Sequence, residues 1–193
     1  MILSVLKYGH PVLRQKGALV AAVTPEIQEL IENMKDTMSA ARGIGLAAQQ
    51  VGQALQLAIV DVSSVTDRPS TLHLHGKPTE VAGFMPVVLI NPQVKPIGDP
   101  VAGAEGCLSF PEIYAEISRP ASVEVTALNE AGRRITFQCG GLLARAVQHE
   151  VDHLSGILFI DRMTRTKKEE LKPELDALQM ATKEALKKKK RHD

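Results

Sequence analysis

Apolar side chains recur at helical spacing through Ile27, Leu30, Ile31, Met34 and Met38, so residues 24–41 are predicted to form an amphipathic helix. Thr24 can cap it, Pro25 suits its first turn, and Gly43 and Gly45 break the pattern behind it. Residues 55–62 are β-rich, and 87–91 predict a short buried strand that stops at Pro92. Alternation over 122–128, turn residues over 129–132 and a return over 133–139 predict a hairpin. Residues 141–154 carry Leu142, Leu143, Ala146 and Val147 on one helical stripe. From Thr166 the chain reads as a charged helix with a kink at Pro173. Residues 63–86 have mixed polarity and Gly/Pro punctuation, and predict a long surface excursion. Strands in the middle, a helix towards each end and one between them predict an α+β fold: one domain with mixed or antiparallel sheets around a central helix.

Composition narrows this picture. The 193 residues suit one domain, and 44% hydrophobic content is enough for a core, although aromatics make up only 3% and Trp is absent. Aliphatic side chains must therefore fill the interior. A formal net charge of +1 argues against a nucleic-acid binder acting through its whole surface. Two cysteines, Cys107 and Cys139, are too few for a disulfide scaffold. The apolar run at the N-terminus is broken at Lys7 and again at Gly9, His10 and Pro11, unlike a signal peptide. No window approaches the ~20 apolar residues of a membrane span. These features predict a soluble protein in a reducing, cytoplasmic setting.

The chemistry concentrates in QHEVDHLSGILF, residues 148–159, which contains H-E-x-x-H at His149, Glu150 and His153. Residues four apart on a helix share a face, so the two imidazoles can converge on one metal ion. Glu150 lies beside that face, the usual place for a general base acting on water. A third protein ligand is needed. One protease pattern continues to a further histidine, but Phe159 stands there and cannot ligate. Glu169 and Glu170 fall in the charged helix, His73 and His75 in the polar excursion, and His10 in a turn before Pro11. Cys139 ends an apolar strand and reads as a small core residue. Cys107 sits in GAEGCLSFPE, an irregular polar turn where core packing explains a cysteine poorly. A thiolate with two imidazoles would leave a fourth position for water, which is catalytic rather than structural in character.

Three segments, GIGLAAQQ (43–50), EGCLS (105–109) and QHEVDHLSG (148–156), resemble in order and spacing the three motifs of the peptide deformylases. The resemblance covers nearly the whole chain. It implies a hydrolase that removes the N-formyl group from the starting methionine of new bacterial polypeptides and releases formate. It also implies that Cys107, His149 and His153 hold the metal, that Glu150 is the general base and acid, and that Gln50 and the backbone N–H of Leu108 form an oxyanion hole. Gly43, Ile44 and Gly45 would pair with the substrate as an added strand. Ile44, Leu142, Ala146 and the flank of His149 would line a pocket for the methionine side chain, although Ile44 and Leu142 also suit a plain core. Glu105 and Asp152 would support the ligands, with Arg119 paired to Asp152. Tyr114 stands where the substrate backbone should pass. On this view residues 1–165 form the catalytic domain and 166–193 a charged helix and basic tail.

The resemblance implies Fe(II) as the native ion, with zinc, nickel or cobalt able to replace it, because the ligand types alone do not choose. Arg145 departs from the apolar residue often found at its position. It either points away or narrows and polarises the pocket rim. Lys187 to Arg191 are five consecutive cations, read either as a solvated end or as a contact with ribosomal RNA. Two rivals remain at this level: another H-E-x-x-H hydrolase using a distant Glu ligand, and a non-catalytic protein that binds peptides or ribosomes.

Overall fold

A computed structural model describes residues 1–189. The first helix, α1 (Pro25–Ala40), starts as expected: Pro25 opens it and the Thr24 side chain accepts from the Ile27 N–H. Its stripe buries Ile31, Met34 and Met38 against β1 (Gly45–Ala47), β2 (Leu57–Val60) and the start of β5 (Val87–Cys107). The second half of the chain builds β6 (Phe110–Leu128), β7 (Arg134–Gly140) and α2 (Gly141–Leu154). With β3 (Ser70–Leu74) and β4 (Lys77–Pro78) the strands form one seven-stranded sheet in the order β1-β2-β5-β6-β7-β3-β4. Every strand pair in it is antiparallel. The inner stripe of α2, with Leu143, Ala144 and Val147, packs on Val60, Leu89, Val123, Val125 and Phe137. The fold is α+β.

Three expectations need correction. The strand beginning at Val87 does not stop at Pro92. It passes through register shifts at 90–93 and 97–100 and continues to Cys107, paired with β6. A proline cannot donate to a ladder, and the shifts absorb that defect. Residues 63–86 are not a plain excursion: β3 pairs with β7, so they extend the sheet. The last helical segment is not kinked at Pro173 but divided at Leu171 into α3 (Arg165–Glu170) and α4 (Lys172–Lys189). Pro173 sits in the first turn of α4, where its missing N–H costs nothing.

Candidate metal centre and its cleft

The centre lies where α2 passes the turn between β5 and β6. Leu108 and Ser109 make that turn, and Cys107 pairs with Phe110 across it, so the cysteine is held at a strand end. The N-terminal segment straps the turn: Lys7 Nζ donates to Leu108 O at 2.7 Å and the Tyr8 N–H to Ser109 O at 2.9 Å. The start of α2 is also held from a distance. Gly140 has no side chain to cap it, and the Leu142 and Leu143 N–H groups donate instead to Pro69 O and Ser70 Oγ, at 3.1 and 3.0 Å. Gly141 has a φ of +65°, and a Cβ there would lie 2.1 Å from Pro69 O, so the helix can begin here only with glycine. The 63–86 segment thus anchors the helix that carries the H-E-x-x-H.

Along α2, His149 and His153 face Cys107. Their ligand atoms and the Cys107 sulfur all lie within 4.8 Å of one another, and Sγ is 3.3 Å from His153 Nε2. Both rings are buried. His149 donates from Nδ1 to Glu105 Oε2 at 2.9 Å, which fixes the ring and turns its other nitrogen towards the sulfur. Burial lowers the His149 pKa, but hydrogen bonds to Cys107 and Glu105 outweigh it and hold the ring well above the usual range. Burial and the His149 charge push His153 well below it. A soft thiolate with two imidazoles is a donor set that suits a single divalent transition metal.

Glu150 lies next to this cluster, 4% exposed, and its Oε2 has no hydrogen-bond partner among the described residues. Burial pushes its carboxyl up to about 7, against the pull of the His149 and Arg119 charges. A carboxyl in that range can take and return a proton near neutral pH. Gly45 makes the space: a Cβ there would lie 2.2 Å from Glu150 Oε1. Gln50 is also oriented. Its Oε1 accepts from the Ala47 N–H at 2.8 Å, so its NH2 must face the other way, 3.2 Å from Ser109 Oγ and 3.5 Å from Cys107 Sγ.

Behind the histidines is a buried ion network. Arg119 donates to both Glu105 oxygens, at 2.6 and 2.9 Å, and to Asp152 Oδ2 at 2.7 Å. Arg162 reaches both Asp152 oxygens at 2.5 Å. Burial alone would raise the Glu105 carboxyl, but His149 and Arg119 hold it at about 2. The expected Arg119–Asp152 pair is present. Arg145 does not point away; it is buried, bonded to Glu105, and faces the cleft.

The cleft has a volume of about 490 Å³ and runs past the centre. Gly43, Ile44, Gly45, Gln50, Glu105, Cys107, Leu108, Tyr114, Leu142, Ala146, His149 and Glu150 all line it. His153 closes the metal cluster from behind, and Tyr114 is 66% exposed at the mouth. Glu169 and Glu170 are exposed on α3, and His10 caps a short helical turn. Cys139 is core, its thiol pushed up to about 12 by burial. The sequence reading assigned no site role to Lys7, Ser70 or Arg162, whose partners lie up to 101 residues away and which no local pattern marks; Ser109 fell inside the EGCLS segment, but its contact with Gln50 was not foreseen.

Comparison with known proteins agrees across the chain. The polypeptide deformylase family profile matches residues 2–169. The peptide deformylase of Methylacidiphilum infernorum is 41% identical over 178 residues, covering 92% of this chain and 93% of the relative. That of Opitutus terrae is 40% identical over 189 residues, covering 97% and 98%. Among solved structures, a Synechococcus elongatus peptide deformylase in complex with actinonin superposes with a TM-score of 0.75 at 38% identity, covering 89% of this chain and 85% of that one. A Legionella pneumophila peptide deformylase gives 0.77 at 31% identity, covering 94% and 97%.

Proposed function

The chain belongs to the polypeptide deformylase family, and from that premise we propose that Cys107, His149 and His153 hold its divalent metal ion while Glu150 moves the proton. The family's reaction is the metal-dependent removal of the N-formyl group from nascent polypeptides that begin with formylmethionine, with release of formate. The observation that carries the assignment is the convergence of one sulfur and two imidazoles within 4.8 Å beside a buried carboxyl whose Oε2 has no partner among the described residues.

An ion bound there would act as a Lewis acid on a water molecule and on the formyl carbonyl. Glu150 takes a proton from the attacking water and delivers it to the leaving amine, a role suited to a carboxyl raised to about 7. The Gln50 amide, aimed by its bond to Ala47, and the Leu108 N–H donate to the carbonyl oxygen as it gains charge. Glu105 fixes the His149 ring, and Arg119 and Asp152 fix Glu105 and α2 in turn. The substrate backbone adds as a strand along Gly43, Ile44 and Gly45 and passes Tyr114. The methionine side chain enters between Ile44, Leu142 and Ala146, beside His149.

The test is formate release from formyl-Met-Ala-Ser by protein prepared anaerobically with ferrous iron, with an acetylated peptide alongside. Formate without acetate is the expected result; no formate from fully metallated protein would overturn the reading. The native ion is Fe(II), with zinc, nickel or cobalt accepted, so peroxide should inactivate the ferrous enzyme. Activity unchanged by peroxide would count against iron. The reaction belongs to the cytoplasm, where nascent chains arise. Among the described residues no helix is long and apolar enough to cross a membrane. The basic run from Lys187 closes α4, while its last members, Lys190 and Arg191, lie outside the described residues. It contacts ribosomal RNA, so removing 187–193 should weaken ribosome binding in a salt-dependent way without changing turnover of short peptides. Equal binding by the truncated chain would exclude that contact.

A further inference from the structure

Arg145 stands one turn before His149 on α2 and lines the cleft beside Leu142 and Ala146. A guanidinium keeps its charge in a protein, so burying one is costly unless its donors are matched. Nη1 donates to Ile117 O at 2.7 Å and to Glu105 Oε1 at 2.9 Å, with Gly103 O further off at 3.4 Å. Nη2 donates to Val101 O at 2.6 Å. The group is thus fixed against β5 and β6 at once and cannot swing out. Among the described residues no acceptor is paired with Nε–H.

Gly103 is the other half of this arrangement. A Cβ there would lie 2.9 Å from Arg145 Cζ and Nη2 and 3.0 Å from Nε. Any larger residue at 103 would displace the guanidinium. The two positions therefore act as a pair: glycine leaves the room that the guanidinium occupies, and the arginine lines the cleft with a cation. A pocket with hydrocarbon walls distinguishes poorly between a sulfur and a methylene of similar size. A donor with no partner changes that, because a side chain with no acceptor leaves it unmatched.

We infer that Arg145 is a specificity-determining residue whose guanidinium forms a hydrogen-bonding wall of the side-chain pocket. The pocket thereby favours a first residue bearing an acceptor near its tip, the thioether of methionine or the sulfoxide of oxidised methionine, over a hydrocarbon of equal length. This rests on the reading of Ile44, Leu142 and Ala146 as that pocket. The sulfur is a weak acceptor and the sulfoxide oxygen a strong one, so the sulfoxide is the more sensitive probe. The consequence is an activity on chains whose formylmethionine has been oxidised.

The experiment compares kcat/KM for formyl-Met-Ala-Ser, formyl-norleucyl-Ala-Ser and formyl-methionine-sulfoxide-Ala-Ser, using the metallated wild-type protein and Arg145→Leu. The wild type should prefer methionine to norleucine by about threefold and process the sulfoxide within about tenfold of methionine. In Arg145→Leu the first preference should vanish and the sulfoxide should fall by about a further tenfold. Loss of the anchoring bonds lowers all three rates together, so the ratios isolate the wall from its structural role. Where Arg145→Leu does not fold, Gly103→Ala displaces the guanidinium while keeping its charge, and should shift the same ratios. Arg145→Lys, which keeps a donor, should retain part of the sulfoxide activity. Identical ratios in wild type and variants would overturn the inference. A wild type active on formylmethionine but inactive on its sulfoxide would overturn it too. No turnover of any peptide would instead overturn the deformylase reading on which it rests.

Discussion

Glu105 and Glu150 are both buried carboxyls that feel the same histidine, His149, yet their surroundings differ in kind. Glu105 accepts from Arg119, Arg145 and His149 and is held at about 2. Glu150 has one oxygen with no partner among the described residues and is pushed up to about 7. The same contrast holds for the groups behind them. Asp152 is gripped by Arg119 and Arg162, whereas His153 Nδ1 has no partner among the described residues. Buried charge that is fully matched builds a frame, and its value lies in fixing positions. Buried polarity left unmatched is kept at a cost, and such sites gather where chemistry is done. The first network exists to hold the second open.

That division can be broken most sharply at Glu150. Glu150→Ala should lower formate release by about 10²- to 10⁴-fold, the usual worth of a general base and acid. Metal content should be unchanged, because the three ligands do not include this carboxylate. Stability should not fall, since the change deletes a buried group with an unpartnered oxygen. Metal analysis, formate release and thermal melting of one preparation check all three. Loss of the ion with the carboxylate would move Glu150 from proton carrier to ligand.

The opposite outcome is expected on the framework side. Arg119→Leu strands Glu105 and Asp152 without their shared cation. It should cost about 3–5 kcal/mol, the usual effect of removing one partner of a buried ion pair. Guanidinium denaturation at neutral pH measures it. Activity should fall as well, but through lost metal occupancy, because Glu105 no longer holds the His149 ring in place. Restoring full occupancy with excess metal should recover much of the rate in Arg119→Leu and none in Glu150→Ala. Equal behaviour of the two variants would erase the distinction.

The sequence disclosed these two regions unequally. His149, Glu150 and His153 are legible because helical spacing alone brings them together. Cys107 was visible as a cysteine in a segment that core packing did not explain. The α1 and α2 helices and the β6–β7 hairpin followed from their periodicity. The far half of β5 did not, because Pro92, Pro96, Pro100 and Gly98 interrupt any alternation, and pairing with β6 rather than local propensity extends the strand. The framework was readable only where the resemblance named its members, as with Arg119 and Asp152. Arg162, Lys7 and Ser70 act through contacts set by topology, and Arg145 spans 28 to 44 residues to its partners. A side chain whose role depends on a distant carbonyl leaves no periodic trace.

A third setting for charge, at the surface, supplies the smallest effect and the baseline for the other two. Arg14 forks onto both oxygens of Asp161, which also accepts from the Leu158 N–H at 2.9 Å. Burial would raise the Asp161 carboxyl, but these bonds outweigh it and hold it below the usual range. A depressed carboxyl pKa adds stability above the unfolded value, near about 4, and that stability disappears as pH falls through the folded value. Asp161→Asn should therefore cost under about 1 kcal/mol at pH 7, as exposed pairs do. The gap between wild type and variant should be present at pH 7 and close at the acid pH that protonates the lowered Asp161 carboxyl, since both side chains are then neutral. Urea midpoints at the two pH values measure it. A gap that persists in acid could not come from charge, nor from the bond with the Leu158 N–H, which Asn also accepts, and would sink the ion-pair account. The ranking would still hold: the same ion-pair chemistry contributes little at the surface and becomes decisive only where Arg119 is sealed between two carboxylates.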